Sequence, residues 1–408
     1  MEPNLEDVSQ NYFKEAKAMD RNRRKRDKAL GRGMTRRKFL AETSRWAVGA
    51  ALAGVLASDT APAAGESQNI LNYHPRMHYR RLGKTGLMLS EISLGGHWKN
   101  REGGRLWLKF AQEEVPSDVA QNRTEVVSRC IDLGINYLDI TTPAECLAYG
   151  VALRGRREKM YVGADDSYLC PRDPANRTVE RLVLDVEECL RRLNTDYLDL
   201  WRVQADVAGR HPDEEVEVMV EAFEKVHEQG KVRWFGISSH NRQFLQHVVE
   251  TFPQIAVVIF PYTARSKPHP GGGQPQVEEA PAGPGGKDFT TSIFETARKH
   301  EVGIITIKPF AGGSLFRIGA KFPIEDKGPE EDHKLARLTL RYILLNEHIT
   351  ATVPGMTTVY EVENNVRASY ERTVALNPAE RQKLSQATAR MWANLPAEYH
   401  WLHEWEWV

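Results

Sequence analysis

Residues Gly230-Lys231-Val232-Arg233-Trp234-Phe235-Gly236-Ile237-Ser238-Ser239-His240-Asn241-Arg242-Gln243-Phe244-Leu245-Gln246-His247-Val248-Val249 join an apolar strand, Trp234 to Ile237, to an amphipathic helix, Arg242 to Thr251. The same unit recurs in both directions. Further strands are expected at Glu91 to Leu94, Asn136 to Asp139, Met160 to Gly163, Tyr197 to Trp201, Val257 to Phe260, Gly303 to Ile307 and Thr350 to Val353. Helical patterns intervene at Thr124 to Leu133, Ala144 to Leu153, Val179 to Leu193, Glu215 to Gln229, Ser292 to His300 and Lys334 to Leu345. Short apolar runs alternating with amphipathic helices build a parallel sheet flanked by helices. Eight such units close into a (β/α)8 TIM barrel, an α/β fold whose chemistry sits at the C-terminal strand ends.

Ahead of the barrel, Met34-Thr35-Arg36-Arg37-Lys38-Phe39-Leu40 precedes the small apolar run Trp46 to Leu56 and then Thr60-Ala61-Pro62-Ala63-Ala64. Basic, apolar and small-residue segments in that order read as a twin-arginine signal cut near Ala63. The apolar run is roughly 12 residues, well short of the ~20 that span a bilayer. Residues 1–63 are therefore read as a removed leader, and the mature protein as periplasmic or secreted with no stable membrane span. About 345 residues remain, enough for one large barrel.

Lys plus Arg and Asp plus Glu both number 55. This balance offers no global attraction for nucleic acid or an anionic membrane, and leaves a small-molecule substrate or a protein partner. Four cysteines, Cys130, Cys146, Cys170 and Cys189, are too few for a disulfide framework. Cys146 and Cys170 follow strand ends on one face, where they either pair in an oxidising compartment or stay buried thiols. From Ala264 to Gly286 the chain is rich in proline and glycine, an irregular loop expected on the functional face as a cover or a disordered excursion. The tail alternates aromatic and polar residues, Tyr399-His400-Trp401-Leu402-His403-Glu404-Trp405-Glu406-Trp407-Val408; it is expected to pack on the barrel, with partner binding as the alternative.

The opening Tyr79-Arg80-Arg81-Leu82-Gly83-Lys84-Thr85-Gly86-Leu87, followed by Leu94-Gly95-Gly96, resembles the first hairpin and strand of aldo/keto reductases. Gly134-Ile135-Asn136-Tyr137-Leu138-Asp139, Gly155 to Val162, Gly230 to Ser238, Lys308 to Gly313 and Pro354-Gly355-Met356 continue the likeness in order. It covers roughly Tyr79 to Ala375, implying a barrel over 79–375 and a C-terminal extension over 376–408.

As the resemblance implies it, catalysis needs a tyrosine proton donor, a lysine paired with an aspartate, and a histidine that orients substrate. Only the aspartate, Asp139, is kept. Ala144 stands at the tyrosine position, Asp165 at the lysine and Gln204 at the histidine, while Tyr149 reads as part of the next helix. Without its tuning cation, a tyrosine could not supply the proton at neutral pH. Asp139 and Asp165 would emerge on adjacent strands, so either one stays protonated or a cation sits between them. Glu145 and Asp166 lie one residue on. This set reads as an acid/base pair, as a hard-metal or sugar-hydroxyl site, or as a solvated acidic rim, the ordinary state of loop carboxylates. His240 is the spare general acid, with a hydrogen-bonded structural residue as the alternative.

The resemblance also implies NADP, with NAD as the variant. Ser238 and Ser239 map to the nicotinamide amide, Lys308, Phe310 and Gly312 to the pyrophosphate, and Asn365 to the adenine. Ile259 and Met356-Thr357-Thr358 depart from the usual nicotinamide and 2′-phosphate contacts. Three functions follow: an exported oxidoreductase with tightly held NADP(H), acting on a carbohydrate or other carbonyl/hydroxyl compound through reassigned acid/base residues; a catalytically retired barrel serving as a binding protein or subunit, without cofactor; or a non-redox carbohydrate-active enzyme using Asp139, Asp165 and Glu145.

Overall fold

The computed structural model describes residues 70–96, 114–266, 292–316, 328–372, 375–395, 399–400 and 402. The leader, His97, Trp98, nearly all of the proline- and glycine-rich segment and most of the aromatic tail lie outside the described residues.

An antiparallel hairpin, β1 (Tyr79–Arg81) and β2 (Met88–Ser90), opens the fold. Seven parallel strands follow in sequential order: β3 (Tyr137–Ile140), β4 (Tyr161–Ala164), β5 (Leu198–Gln204), β6 (Val232–Ser238), β7 (Ile255–Pro261), β8 (Gly303–Ile307) and β9 (Ala351–Val353). The expected first barrel strand is reduced to isolated bridges, Ile92 with Thr352, Leu94 with Leu138 and Gly95 with Gly355, which join β9 to β3 and close the ring. Gly95 lies so near β9 that a Cβ there would come 2.6 Å from the Val353 carbonyl oxygen.

Nine helices are described: α1 (Ser117–Asp132), α2 (Pro143–Ala152), α3 (Val179–Leu193), α4 (Asp213–Glu228), α5 (Arg242–Thr251), α6 (Ile293–Lys299), α7 (Glu330–Leu344), α8 (Val359–Tyr370) and α9 (Pro378–Ala393). Side-chain oxygens at the N-caps fix several starts: Thr142 accepts from the Glu145 N–H, and Thr178 from that of Arg181. Alternation along the strands splits the apolar residues into two bodies. One lies between strands and helices; the other fills the barrel with Leu200, Val257, Ile259, Ile305 and Ala351, and is plugged from below by Leu82, Leu87 and Leu89 of the hairpin region.

The N-terminal face is a stability face. Asp199 binds Arg157 and Arg233 at 2.9 Å each, and both guanidiniums stack over the Tyr197 ring at 4.4 Å. At the tail, Leu402 is buried in the helix-layer core, the Tyr399 ring lies against Gly312, and Arg265 covers Trp392 at 4.8 Å. Among the described residues, no helix is long and apolar enough to cross a membrane.

Candidate active site

On β3, residues two apart face the same side, so Tyr137 and Asp139 both enter the barrel. The Tyr137 hydroxyl donates to Asp139 Oδ1 at 3.1 Å. Opposite Asp139 on β4 is Gly163, where a Cβ would lie 2.1 Å from the Tyr137 hydroxyl oxygen. That glycine leaves room for the Tyr137 hydroxyl, and Arg202 on β5 meets the same carboxyl, its Nε 3.0 Å from Asp139 Oδ1. The cation left open by the sequence is therefore the chain's own. Its signal was present: Arg202 is in phase with Leu200 and Gln204 along β5. Burial pushes the Asp139 carboxyl up, while Arg202 and the Tyr137 hydrogen bond pull it down. Burial also drives the Tyr137 phenol well above its ordinary range, with Asp139 adding to the rise, so this tyrosine is no tuned proton donor.

Asp165, just past β4, accepts the Gln204 N–H through Oδ2 at 3.0 Å, and the Gln204 amide donates to the Thr141 carbonyl at 3.0 Å. The next partner comes from α3. Asp185 accepts the Asp166 N–H at 2.7 Å and the Trp201 indole N–H at 2.8 Å. Asp165 and Asp185 are hydrogen-bonded to each other, which requires a proton between the carboxyls. Burial and the facing Asp165 hold Asp185 well above the carboxylate range. Burial also lifts Asp166 to about 7. Asp185 carried no signal in the sequence, since one acid within an amphipathic helix is ordinarily solvent-facing.

The solvated-rim reading is corrected: Asp139, Glu145, Asp165 and Gln204 are 2%, 0%, 0% and 4% exposed. Strand ends and α3 close over them. Glu145 Oε2 accepts the Thr141 N–H at 2.8 Å and the Thr141 hydroxyl at 3.0 Å, which makes it a fastener of the first turn of α2. Tyr149 packs between barrel and helices, its hydroxyl 3.5 Å from the Gly95 carbonyl, and burial raises its phenol.

On the other side of the mouth, the Ser238 hydroxyl accepts from Arg202 Nη2 at 3.2 Å. Ser239 donates to the Asp206 carbonyl at 2.8 Å and accepts the Asn241 N–H at 3.2 Å, holding its loop. His240 is also corrected. Burial and the nearby Lys308 and Arg172 cations push it well below its usual range, so at neutral pH it carries no extra proton to give as an acid. Arg172, unnoticed in the sequence, donates to the Ala205 carbonyl at 3.0 Å.

After β8 the chain turns through left-handed conformations at Lys308, Ala311, Gly312 and Gly313, with φ of 59°, 46°, 64° and 94°. Most of its N–H groups close on the turn itself, Ala311 donating to the Lys308 carbonyl at 3.0 Å, Gly313 to the Phe310 carbonyl at 2.9 Å and Ser314 to the Ala311 carbonyl at 3.1 Å. What the region offers a phosphate is positive charge, from Lys308 and Arg172, which both act on His240. Phe310 packs at a tilt against Phe316, with 5.1 Å between ring centroids and 56° between ring planes. Asn365 falls inside α8, not at the start of the last helix, and its Oδ1 accepts from the Asn364 amide at 3.1 Å.

All four cysteines are buried thiols. Cys170 donates to the Ser167 carbonyl at 3.4 Å, while Cys146 has Cys189 as its thiol neighbour. The Cys146–Cys170 pairing is therefore not formed, because α2 and α3 run side by side and bring Cys146 to Cys189. Among the described residues no cluster of three or more metal-ligating side chains occurs.

Residues 108–384 match the sequence model described as "Aldo/keto reductase family". The chain is 24% identical over 326 residues to L-galactose dehydrogenase of Arabidopsis thaliana, covering 72% of this chain and 89% of that protein. It is 25% identical to methylglyoxal reductase of Escherichia coli over 66% of this chain and 86% of that one. In structure it is similar to the holo form of an aldo-keto reductase from Bacillus halodurans, with a TM-score of 0.53 at 20% identity, covering 76% and 96% of the two chains. A second similar structure is an aldo/keto reductase from Klebsiella pneumoniae in complex with NADP and acetate, with a TM-score of 0.52 at 18% identity over 76% and 94%.

Proposed function

The chain belongs to the aldo/keto reductase family, and from that premise we propose that it is an NADP(H)-dependent oxidoreductase acting on a carbonyl or hydroxyl compound, with acid/base groups reassigned within the barrel mouth. The observation that carries this reading is the continuous polar chain Tyr137–Asp139–Arg202–Ser238. It links the aspartate of the family's catalytic set to the serine mapped to the nicotinamide amide.

Ser238, Lys308, Gly312 and Gly313, with Arg172 alongside, are the residues that would hold the dinucleotide. When bound, it supplies the hydride. The Ser238 hydroxyl, already an acceptor for Arg202, keeps its own proton free to donate to an amide oxygen. Asp139 fixes the Arg202 guanidinium. The Asp165–Asp185 pair holds a proton in a dry site, and Gln204 orients Asp165. A carbohydrate substrate is favoured by the name of the Arabidopsis relative and by the hydrogen-bonding groups of the mouth. NADP is preferred to NAD on the Klebsiella relative's bound cofactor. Export to the periplasm or beyond rests on Arg36-Arg37 and the run after them.

One observation favours a second reading, the retired barrel serving as a binding protein or subunit. The rim residues are buried and largely satisfy one another, and the Tyr399 ring lies on Gly312 of the turn that would wrap the pyrophosphate. The non-redox carbohydrate-active reading is weakened because Glu145 is committed to Thr141 and Asp139 to Arg202. Native mass spectrometry of the protein from its own host decides between the first two. Co-purified NADP(H) is expected. Protein that is nucleotide-free and does not bind added NADPH would leave the retired barrel.

A further inference from the structure

We propose that the Arg202 guanidinium is the docking point for a neutral carbonyl oxygen, so that the site selects uncharged carbonyl compounds over carboxylates such as 2-oxo acids. This deepens the proposed function and rests on it for the reaction, though not for the binding. Arg202 is 1% exposed. Its Nη2 donates to Ser238 at 3.2 Å, and its Nε faces Asp139 as an ion pair at 3.0 Å. Nη1 makes no hydrogen bond. A buried donor on a charged group, left without an acceptor, is an energetic deficit that a bound oxygen removes.

The position of that orphaned donor is informative. Arg202 lies between the aspartate from β3 and the serine from β6, so an oxygen on Nη1 sits at the junction of the proton-handling and cofactor sides of the mouth. A hydrogen bond from a guanidinium is charge-assisted. It draws electron density from the carbonyl carbon and strengthens as negative charge develops on the oxygen.

Neutrality of the ligand follows from the charges already present. Asp139 answers Arg202, and Asp165 with Arg172 nearby makes a second opposed pair. A carboxylate on Nη1 would bring an extra negative charge against Asp139 and Asp165, the two carboxyls that already act on Arg202.

The test uses the isosteric probes acetamide and acetate, each labelled with 13C at the carbonyl carbon, titrated into the full mature protein and followed by NMR. In the wild type the acetamide carbon should move downfield on binding, and acetate should bind at least about tenfold more weakly. Arg202→Lys keeps a charge beside Asp139 and removes Nη1, and should abolish the downfield shift or weaken acetamide by at least about tenfold. Should that variant not fold, the double change Arg202→Met with Asp139→Asn leaves no unpaired charge, and it should lose acetamide in the same way. An unchanged acetamide shift in the folded variant, absence of acetamide binding to the wild type, or acetate binding as tightly as acetamide would each overturn the proposal. NADPH binding, measured separately by fluorescence, is the arm that tests the oxidoreductase reading. Its failure would sink that reading while the acetamide result stood.

Discussion

Arg202 on β5 reaches Asp139 on β3, at 3.0 Å, past the strand between them. The β4 residue paired with Asp139 is Gly163, and the space left by its missing side chain is taken by the Tyr137 hydroxyl, which donates to the same carboxyl. The ion pair gives the buried Asp139 carboxyl a cation from β5, two strands away in the sheet.

Gly163→Ala should destabilise the protein by about 1–3 kcal/mol, because its Cβ would overlap the Tyr137 hydroxyl. Denaturant unfolding measures the loss. Adding Tyr137→Phe, which removes the clashing oxygen, should recover part of it; a strictly additive double variant would mean that the clash is not the cause.

The Asp139–Arg202 pair is buried, so breaking one side leaves an unpaired charge. Asp139→Asn or Arg202→Met alone should each cost about 3–5 kcal/mol, and the double variant markedly less than their sum. Equal and additive losses in a double-mutant cycle would remove the pair from the account of stability.

Asp166 titrates at about 7 in the fold against 3.8 for the ordinary side chain. The folded state therefore holds the proton more tightly, and its contribution to stability is complete below about pH 4 and is lost as the pH rises to about 7. Asp185, held well above the carboxylate range by burial and Asp165, contributes a loss of the same sign. Asp166→Asn keeps an oxygen to accept the Tyr168 N–H, seen at 2.9 Å, and should flatten the decline between pH 4 and pH 7. An unaltered pH–stability curve in that variant would assign the loss to other groups.

On the proposal that Ala144 stands at the family's tyrosine position, NADPH-dependent reduction of glyceraldehyde should run roughly 10²- to 10⁴-fold below that of tyrosine-bearing relatives. Tyr149→Phe should leave this slow rate as it is, because the Tyr149 hydroxyl lies in the helix layer against Gly95. A collapse of turnover in that variant would place Tyr149 in the reaction.

Changing Arg36 and Arg37 together to lysine should trap the uncut precursor in the cytoplasm, whereas the native chain should be recovered outside it with an N-terminus near Ala64. Cell fractionation with N-terminal sequencing reads both. Undiminished export of the double variant would refute the twin-arginine route.

The succession of elements was legible in the sequence. Strand periodicity of two and helix periodicity near 3.6 are local, and they marked the seven ladder strands, the segment around Ile92 and Leu94 that bridges them, and the positions of α2 to α7, whereas α1 starts at Ser117, well before the expected Thr124, and α8 and α9 were not among the marked helices. Ala144, Asp165 and Gln204 were read, from the resemblance, as standing at the family's tyrosine, lysine and histidine positions. Tertiary structure alone decided what surrounds them. Arg202 meets Asp139 from the strand beyond β4, Asp185 enters from α3 to share a proton with Asp165, and Cys146 lies beside Cys189, away from Cys170. The same packing turned an expected solvated rim into a dry one and left His240 neutral. Charge state depends on burial and on neighbours distant in the chain, and neither is encoded in the local spacing of residues.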